Sequence, residues 1–276
     1  MNALRRTVTH LSSGKRQLFA LLSEPLVEPR GVIVHVPAFA EEMNKSRRML
    51  TLATEALVQD GWAVLVFDLS GCGDSSELLQ DVDWEMWIED LDNVVAWSRQ
   101  RFPDRQLVLW SLRGGALIAS DWMALTGQAL PVLMWQPALN GKLQLTQFLR
   151  LKAANDMLSE MDARSVMAEL RGKIDQGESV DIAGYCLSAK LAQGMSRAAL
   201  SLPESAGVDI ALLEVGSAEN ATLSPAGQGF VEKVSAGASR IFAEKITGPA
   251  FWSTQYIETV PGLVTASRRA LEQFQV

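Results

Sequence analysis

The chain has little of the residues that usually carry redox, metal and general-base chemistry. Among 276 residues there are two histidines and two cysteines. Both histidines, His10 and His35, fall near the start. Cys72 and Cys186 permit at most one disulfide and read better as two reduced thiols of a cytoplasmic protein. No cluster of His and Cys has metal-ligand spacing, so neither a metal nor an organic cofactor is expected. Positive charge is also short: 25 Lys and Arg stand against 32 Asp and Glu, a net charge of −7. The pairs Arg5–Arg6 and Arg47–Arg48 are too brief to form the basic surface that nucleic acid demands. No apolar run approaches the about 18 residues of a membrane span. The first residues lack the apolar core of a signal peptide. These absences are read as those of a cytoplasmic protein; the expected partner is a small molecule, and a homodimer is left open.

What is present is an ordinary apolar supply, 48% hydrophobic residues with a mean hydropathy of +0.08, enough for a large core. The N-terminus alternates, turns at Ser13–Gly14 and continues as a second strand. "GVIVHVP" from Gly31 is a continuous apolar run, as in a strand buried on both faces. Strand and helix then alternate. "KSRRMLTLATEALVQDGW" is helical with Gly61 as its stop, "AVLVFDL" is a strand, and "DWEMWIEDLDNVVAWSRQRF" is a long amphipathic helix. "QLVLW" is a strand, "LRGGALIASDWMAL" a helix and "PVLMWQPAL" a strand. That order predicts βαβ units and a mostly parallel sheet with helices on both faces. From about Leu143 to Leu202 the text is helical, including "VDIAGYCLSAKLAQGMSRAAL". The alternation resumes at "VDIALLEV". The chain is therefore divided into a first core part over 1–138, a helical cap over 139–205 and a second core part over 206–276.

Ser111 follows the strand "QLVLW" and precedes a small-residue helix. A sharp turn there would lift its side chain to the carboxyl edge of the sheet, beside the free N–H groups of a helix N-terminus. This is the logic of a G-x-S-x-G elbow with Leu109 and Arg113 at the glycine positions. The plainer role is a serine capping a buried helix. Asp68 to Ser75 reads D-x-x-G-x-G-x-S after a buried strand, and His35-Val36-Pro37-Ala38-Phe39 ends the strand before it. In this arrangement and order the chain resembles the α/β-hydrolase superfamily. "VPAFAEEMNKSRRM" from Val36 to Met49 is similar to the "PPFAEEMNKSRRM" signature of the exosortase A system-associated hydrolase family, second type. "LWSLRGGA" and "FWST" at Phe251–Thr254 resemble that family too. The resemblance implies an α/β-hydrolase fold, a hydrolase by superfamily, and a setting beside exopolysaccharide genes and an exosortase.

On that template Ser111 is the nucleophile. The backbone N–H groups of Leu112 and of Ala38 or Phe39 form the oxyanion hole, and Glu219 is the acid, with Glu214 behind it. The late histidine is missing, since the matching loop reads Gly248-Pro249-Ala250-Phe251-Trp252. Three outcomes follow: His35 acts as an unusual base or is simply buried, a carboxylate such as Glu41, Glu42 or Asp68 acts, or hydrolysis is lost and the pocket kept. Arg113, Glu41, Lys45 and Trp252 are the substrate-binding candidates, and Arg113 is equally suited to an internal pair with Glu41 or Glu42. Cys72 is a weak nucleophile candidate. Two functions are carried forward. One is an esterase- or thioesterase-like serine hydrolase. The other is an impaired member that binds an acyl or glycan-derived ligand or a partner protein.

Overall fold

At the N-terminus, β1 (Leu4–Ser13) and β2 (Arg16–Pro25) pair antiparallel over ten residues, with Gly14 at φ +62° in the turn. This computed structural model describes residues 4–156, 163–202, 207–216, 222–237 and 239–274. The alternation then runs through β3 (Gly31–Val36), α1 (Glu41–Gln59), β4 (Trp62–Phe67), α2 (Trp84–Arg101), β5 (Gln106–Leu112), α3 (Gly115–Thr126) and β6 (Val132–Trp135). After an intervening segment come β9 (Asp209–Gly216), α7 (Pro225–Ser235), β10 (Arg240–Thr247) and α8 (Pro261–Gln273). The eight strands form one sheet in the order β1-β2-β4-β3-β5-β6-β9-β10. From β4 to β10 every neighbouring pair is parallel, and β2 joins β4 antiparallel.

The continuous apolar runs are explained by burial on both faces. Successive side chains of a strand point to opposite sides. Leu107 and Leu109 of β5, with Val32, Val34 and Val36 of β3, pack into the layer that holds α2 and α3. Val108, Trp110 and Leu112, with Ile33, pack into the layer of α1 and α8. A strand with a helix layer on each side has no polar face to show.

Between β6 and β9 lie α4 (Gly141–Asp156), α5 (Ala163–Asp175), a two-stranded sheet of β7 (Val180–Ile182) and β8 (Tyr185–Leu187), and α6 (Ala189–Arg197). The hairpin corrects the helical expectation for "VDIAGYCL". Ala183 and Gly184 both take positive φ, 50° and 86°, as a two-residue hairpin turn requires. Ser188 then caps α6, its Oγ accepting from Leu191 N at 3.0 Å. α1 begins at Glu41, and no side chain caps it. Ser46 Oγ instead donates to Glu42 O at 2.6 Å inside the helix.

One buried carboxylate ties the hairpin to the sheet. Asp90 of α2 accepts from Ser13 Oγ at 2.8 Å, from Arg16 Nε at 3.3 Å and Nη2 at 3.1 Å, and from Ser70 N at 2.8 Å. Trp87 Nε1, one turn earlier, donates to Ser70 O at 3.0 Å. Without Asp90 the buried Ser13 hydroxyl and Ser70 N–H lose their acceptor and Arg16 keeps only the exposed Glu89 as a carboxylate partner, and buried polar groups left without partners are costly. Asp90→Ala should therefore lower stability by about 3–5 kcal/mol, read as a lower urea midpoint, whereas removing the exposed partner with Glu89→Ala should change it by less than about 1 kcal/mol.

Candidate functional site

The strand-to-helix junction is where the structure departs most from the sequence reading. β5 does not stop at Trp110. It runs on through Ser111, paired with Val36 and Met134, to Leu112, paired with Trp135. The chain reverses at Arg113, a non-glycine residue at φ +53°. Arg113 N donates to Trp135 O at 3.1 Å, and Arg113 O accepts from Ala138 N at 3.0 Å. Gly114 follows, and α3 starts at Gly115. A Cβ on Gly115 would lie 2.3 Å from Val36 O, so only glycine lets the helix approach β3 this closely. The small–x–turn–x–small pattern is thus Ser111-Leu112-Arg113-Gly114-Gly115. Ser111 holds the first small position, and Arg113, read from sequence as a helix residue, is the residue at the turn. The signal available was the pair of small residues two before and two after Arg113.

Ser111 and His35 are not brought together. Ser111 is 0% exposed and its Oγ has no hydrogen-bond partner. It alternates with Trp110 and Leu112, so it shares the α2–α3 side with Leu109. His35 pairs in register with Trp110, packs its ring 4.6 Å from that indole and lies on the other side of the sheet. It is 0% exposed, with neither ring nitrogen in a well-formed hydrogen bond among the described residues. Burial pushes its pKa down to about 3, so the ring stays neutral near pH 7. Leu112 is an interior strand residue and Ala38 packs in the α1–α8 layer. Phe39 does reach the cleft described next. Glu219 lies outside the described residues. Glu214 is buried and engaged, accepting from Ser224 N and Ser224 Oγ, each at 2.6 Å. Asp68 holds its own loop, accepting from Asp74 N at 3.1 Å and Arg47 Nη2 at 3.4 Å. Burial first, then the charges of Asp68 and Asp90, push the Cys72 thiol up to about 12, which keeps it protonated and a poor nucleophile.

The binding candidates, in contrast, converge. Glu41, Glu42, Lys45, Arg113 and Trp252 line one cleft of about 420 Å³. The intervening helix α4 adds Gln144, Gln147, Phe148 and Leu151, which the sequence reading missed. Arg113 is held on several sides. Its Nε donates to Glu42 Oε1 at 2.9 Å, and its Nη2 to Gln144 Oε1 at 3.1 Å and Gln147 Oε1 at 2.8 Å. Gln144 Nε2 donates to Glu42 Oε2 at 2.8 Å, closing a ring of three side chains. The guanidinium also sits 5.5 Å from the Trp252 ring centre, a cation–π contact. Trp252 belongs to the loop in which the superfamily histidine was sought, so an indole faces the elbow residue there. Phe251 is fully buried against Trp135 and Trp252 and belongs to the core. The Tyr185 hydroxyl of β8 donates to Glu41 Oε1 at 3.1 Å and accepts from Asn44 Nδ2 at 3.0 Å. Burial, then the Glu41 charge, push its pKa up to about 12.

Two measurements follow from this geometry. The unfolded chain takes up a proton on His35 below about pH 6.5 and the folded chain does not until about pH 3. Stability is therefore fully present above pH 6.5 and falls as the pH drops, by about 2 kcal/mol between pH 7 and 5 from this residue. Denaturant titrations should show a shallower pH slope for His35→Gln. Gly115→Val should unfold the protein or shift its melting point by many degrees, while Gly172→Ala, in open space on α5, should be neutral or stabilising.

Comparison with known proteins supports the architecture. Residues 27–181, more than half of the chain, match the family described as serine aminopeptidase, S33. Comparison with curated proteins gives no match. Among solved structures, Est1E from Butyrivibrio proteoclasticus with bound ferulic acid is 15% identical, with a TM-score of 0.67 over 96% of this chain and 98% of its own. A serine hydrolase without lid from Xanthomonas campestris is 14% identical, with a TM-score of 0.57 over 98% and 94%. A serine hydrolase homologue from Coxiella burnetii is 12% identical, with a TM-score of 0.54 over 98% and 97%. At such identities the likeness speaks for the fold. With its eight-stranded, mostly parallel sheet and the family match across β3 to β7, the chain belongs to the serine aminopeptidase S33 family of α/β-hydrolase fold proteins.

Proposed function

We propose that the protein uses the α/β-hydrolase scaffold to bind an acyl or glycan-derived small molecule in the Arg113 cleft, without acyl transfer through a serine. The observation that carries this reading is the identity of the turn residue. Nucleophilic catalysis needs an activated nucleophile within reach of a base. Here the turn carries a guanidinium, which has no lone pair to donate and stays protonated. Ser111, two residues before it, is buried without a hydrogen-bond partner among the described residues, and His35 is on the opposite side of the sheet. Residues 139–205 serve in this reading as the cap over the ligand, with α4 closing one wall. The likeness of Val36–Met49 to the exosortase-associated signature favours a ligand from surface-polysaccharide processing.

A second reading, the esterase- or thioesterase-like hydrolase, is favoured by family membership and by the serine in the elbow sequence. It requires Ser111 to become accessible and a carboxylate to serve as base. The two readings differ in one experiment. Wild type and Ser111→Ala are treated with a fluorophosphonate probe and read by intact mass, with p-nitrophenyl esters as a turnover assay. The expected outcome is no labelling and no turnover above buffer in either protein. Stoichiometric labelling of wild type that disappears in Ser111→Ala would sink the binding-only reading. In the same series, Arg113→Met should lower stability by about 2–3 kcal/mol, because Glu42 and Gln144 lose their charged partner, measured by urea melts.

A further inference from the structure

The cleft contains two cations in very different circumstances. Arg113 is committed: Glu42, Gln144 and Gln147 take its Nε and Nη2, and its Nη1 points to Gln136 O at 3.5 Å. Lys45 lines the same cleft and, among the described residues, forms no ion pair or hydrogen bond. The two carboxylates one turn before it on α1 are taken, Glu41 by Tyr185 and Glu42 by Arg113. An ammonium with three free donors is the group most ready to receive a ligand.

Charge and surface narrow the ligand further. Lys45 and Arg113 face Glu41 and Glu42, so the lining carries no net formal charge. A polyanion such as a phosphate ester would bring repulsion from two carboxylates for the sake of one free cation. A single negative charge meets Lys45 at lower cost. Of the other lining residues, Gln144 and Gln147 are engaged with Arg113 and Glu42, Ser253 adds one hydroxyl, and Phe39, Phe148, Leu151 and Trp252 supply hydrocarbon. The three aromatic residues are largely covered. Phe39 is 4%, Phe148 6% and Trp252 7% exposed, and Arg113 lies over the Trp252 ring. Sugar rings stack on open aromatic faces, whereas an alkyl chain needs only apolar edges and methyl groups. Resting on the ligand-binding reading above, we infer that the ligand is an acyl monoanion, one carboxylate on an alkyl chain, with Lys45 as the charge contact and Leu151 against the chain.

Isothermal titration of the full chain separates the possibilities, using decanoate, decanol and glucuronate below their aggregation limits. Decanoate should bind wild type at least tenfold more tightly than decanol, and glucuronate should not bind. Lys45→Met should lose that tenfold preference for decanoate while keeping decanol affinity. Leu151→Glu should lose both, with circular dichroism confirming that each variant is folded. Equal binding of decanoate and decanol, retained preference in Lys45→Met, preferential binding of glucuronate, or no binding by wild type would each overturn the inference. Turnover of p-nitrophenyl esters would overturn the non-hydrolytic reading on its own, whichever way the titrations fall.

Discussion

The chain reversal at Arg113 is the constraint on which the rest of the site depends. A non-glycine residue at positive φ is costly by about 1 kcal/mol or more, and it persists here because the neighbourhood holds it. Its backbone bonds to Trp135 O and Ala138 N, Gly115 two residues on packs on Val36 O, and its guanidinium is tied to Glu42 and Gln144. Those two partners come from the first turn of α1 and from α4. One side chain therefore fastens the core sheet, the first crossover helix and the segment inserted after β6. A serine at that turn would leave this three-way connection unmade, and the cleft would lose its inner wall.

The pleat of the sheet settles the fate of the two residues that looked most catalytic. Ser111 and Trp110 are adjacent, so they face opposite layers, and His35 shares a face with Trp110 through the parallel register of β3 and β5. No side-chain rotation carries an imidazole through a hydrogen-bonded sheet. Chemistry at this edge falls instead to residues beyond the strand ends, where helix starts and loops deliver side chains into open space. The cleft residues all come from such places: the start of α1, the β5–α3 turn, the cleft-facing side of α4 and the loop after β10.

Much of the fold was legible because periodicity speaks directly about burial. The runs at Gly31, Trp62 and Leu107 are apolar without alternation, which only a two-sided strand tolerates. The helix at Trp84 begins after Asp83, whose side chain accepts from Met86 N at 2.9 Å, a cap visible in the letters themselves. The hairpin at Val180–Leu187 was not legible. Its strands are three residues long, too short for a period to show, and the turn depends on Ala183 accepting a backbone conformation that alanine seldom takes. The site was legible in part of its membership, the α4 wall apart, and not in its roles. Glu41, Glu42, Lys45, Arg113 and Trp252 were all in view, but the turn was set two residues too early, since nothing in "LWSLRGG" marks where a buried strand stops.

By itself the sequence determined the order of strands and helices around the main sheet, the burial of its central strands on both faces, and the lack of a histidine after the last strand. These follow from composition and local period, which act within a few residues. Only the tertiary structure decided which residue occupies the turn, which side chains share a face of the sheet, and which of two cations is already satisfied. Each of those is a contact between segments far apart along the chain, as Arg113 with Glu42 and Gln144. A change of register by one residue reverses every face, so such contacts exist only once the strands have been laid side by side.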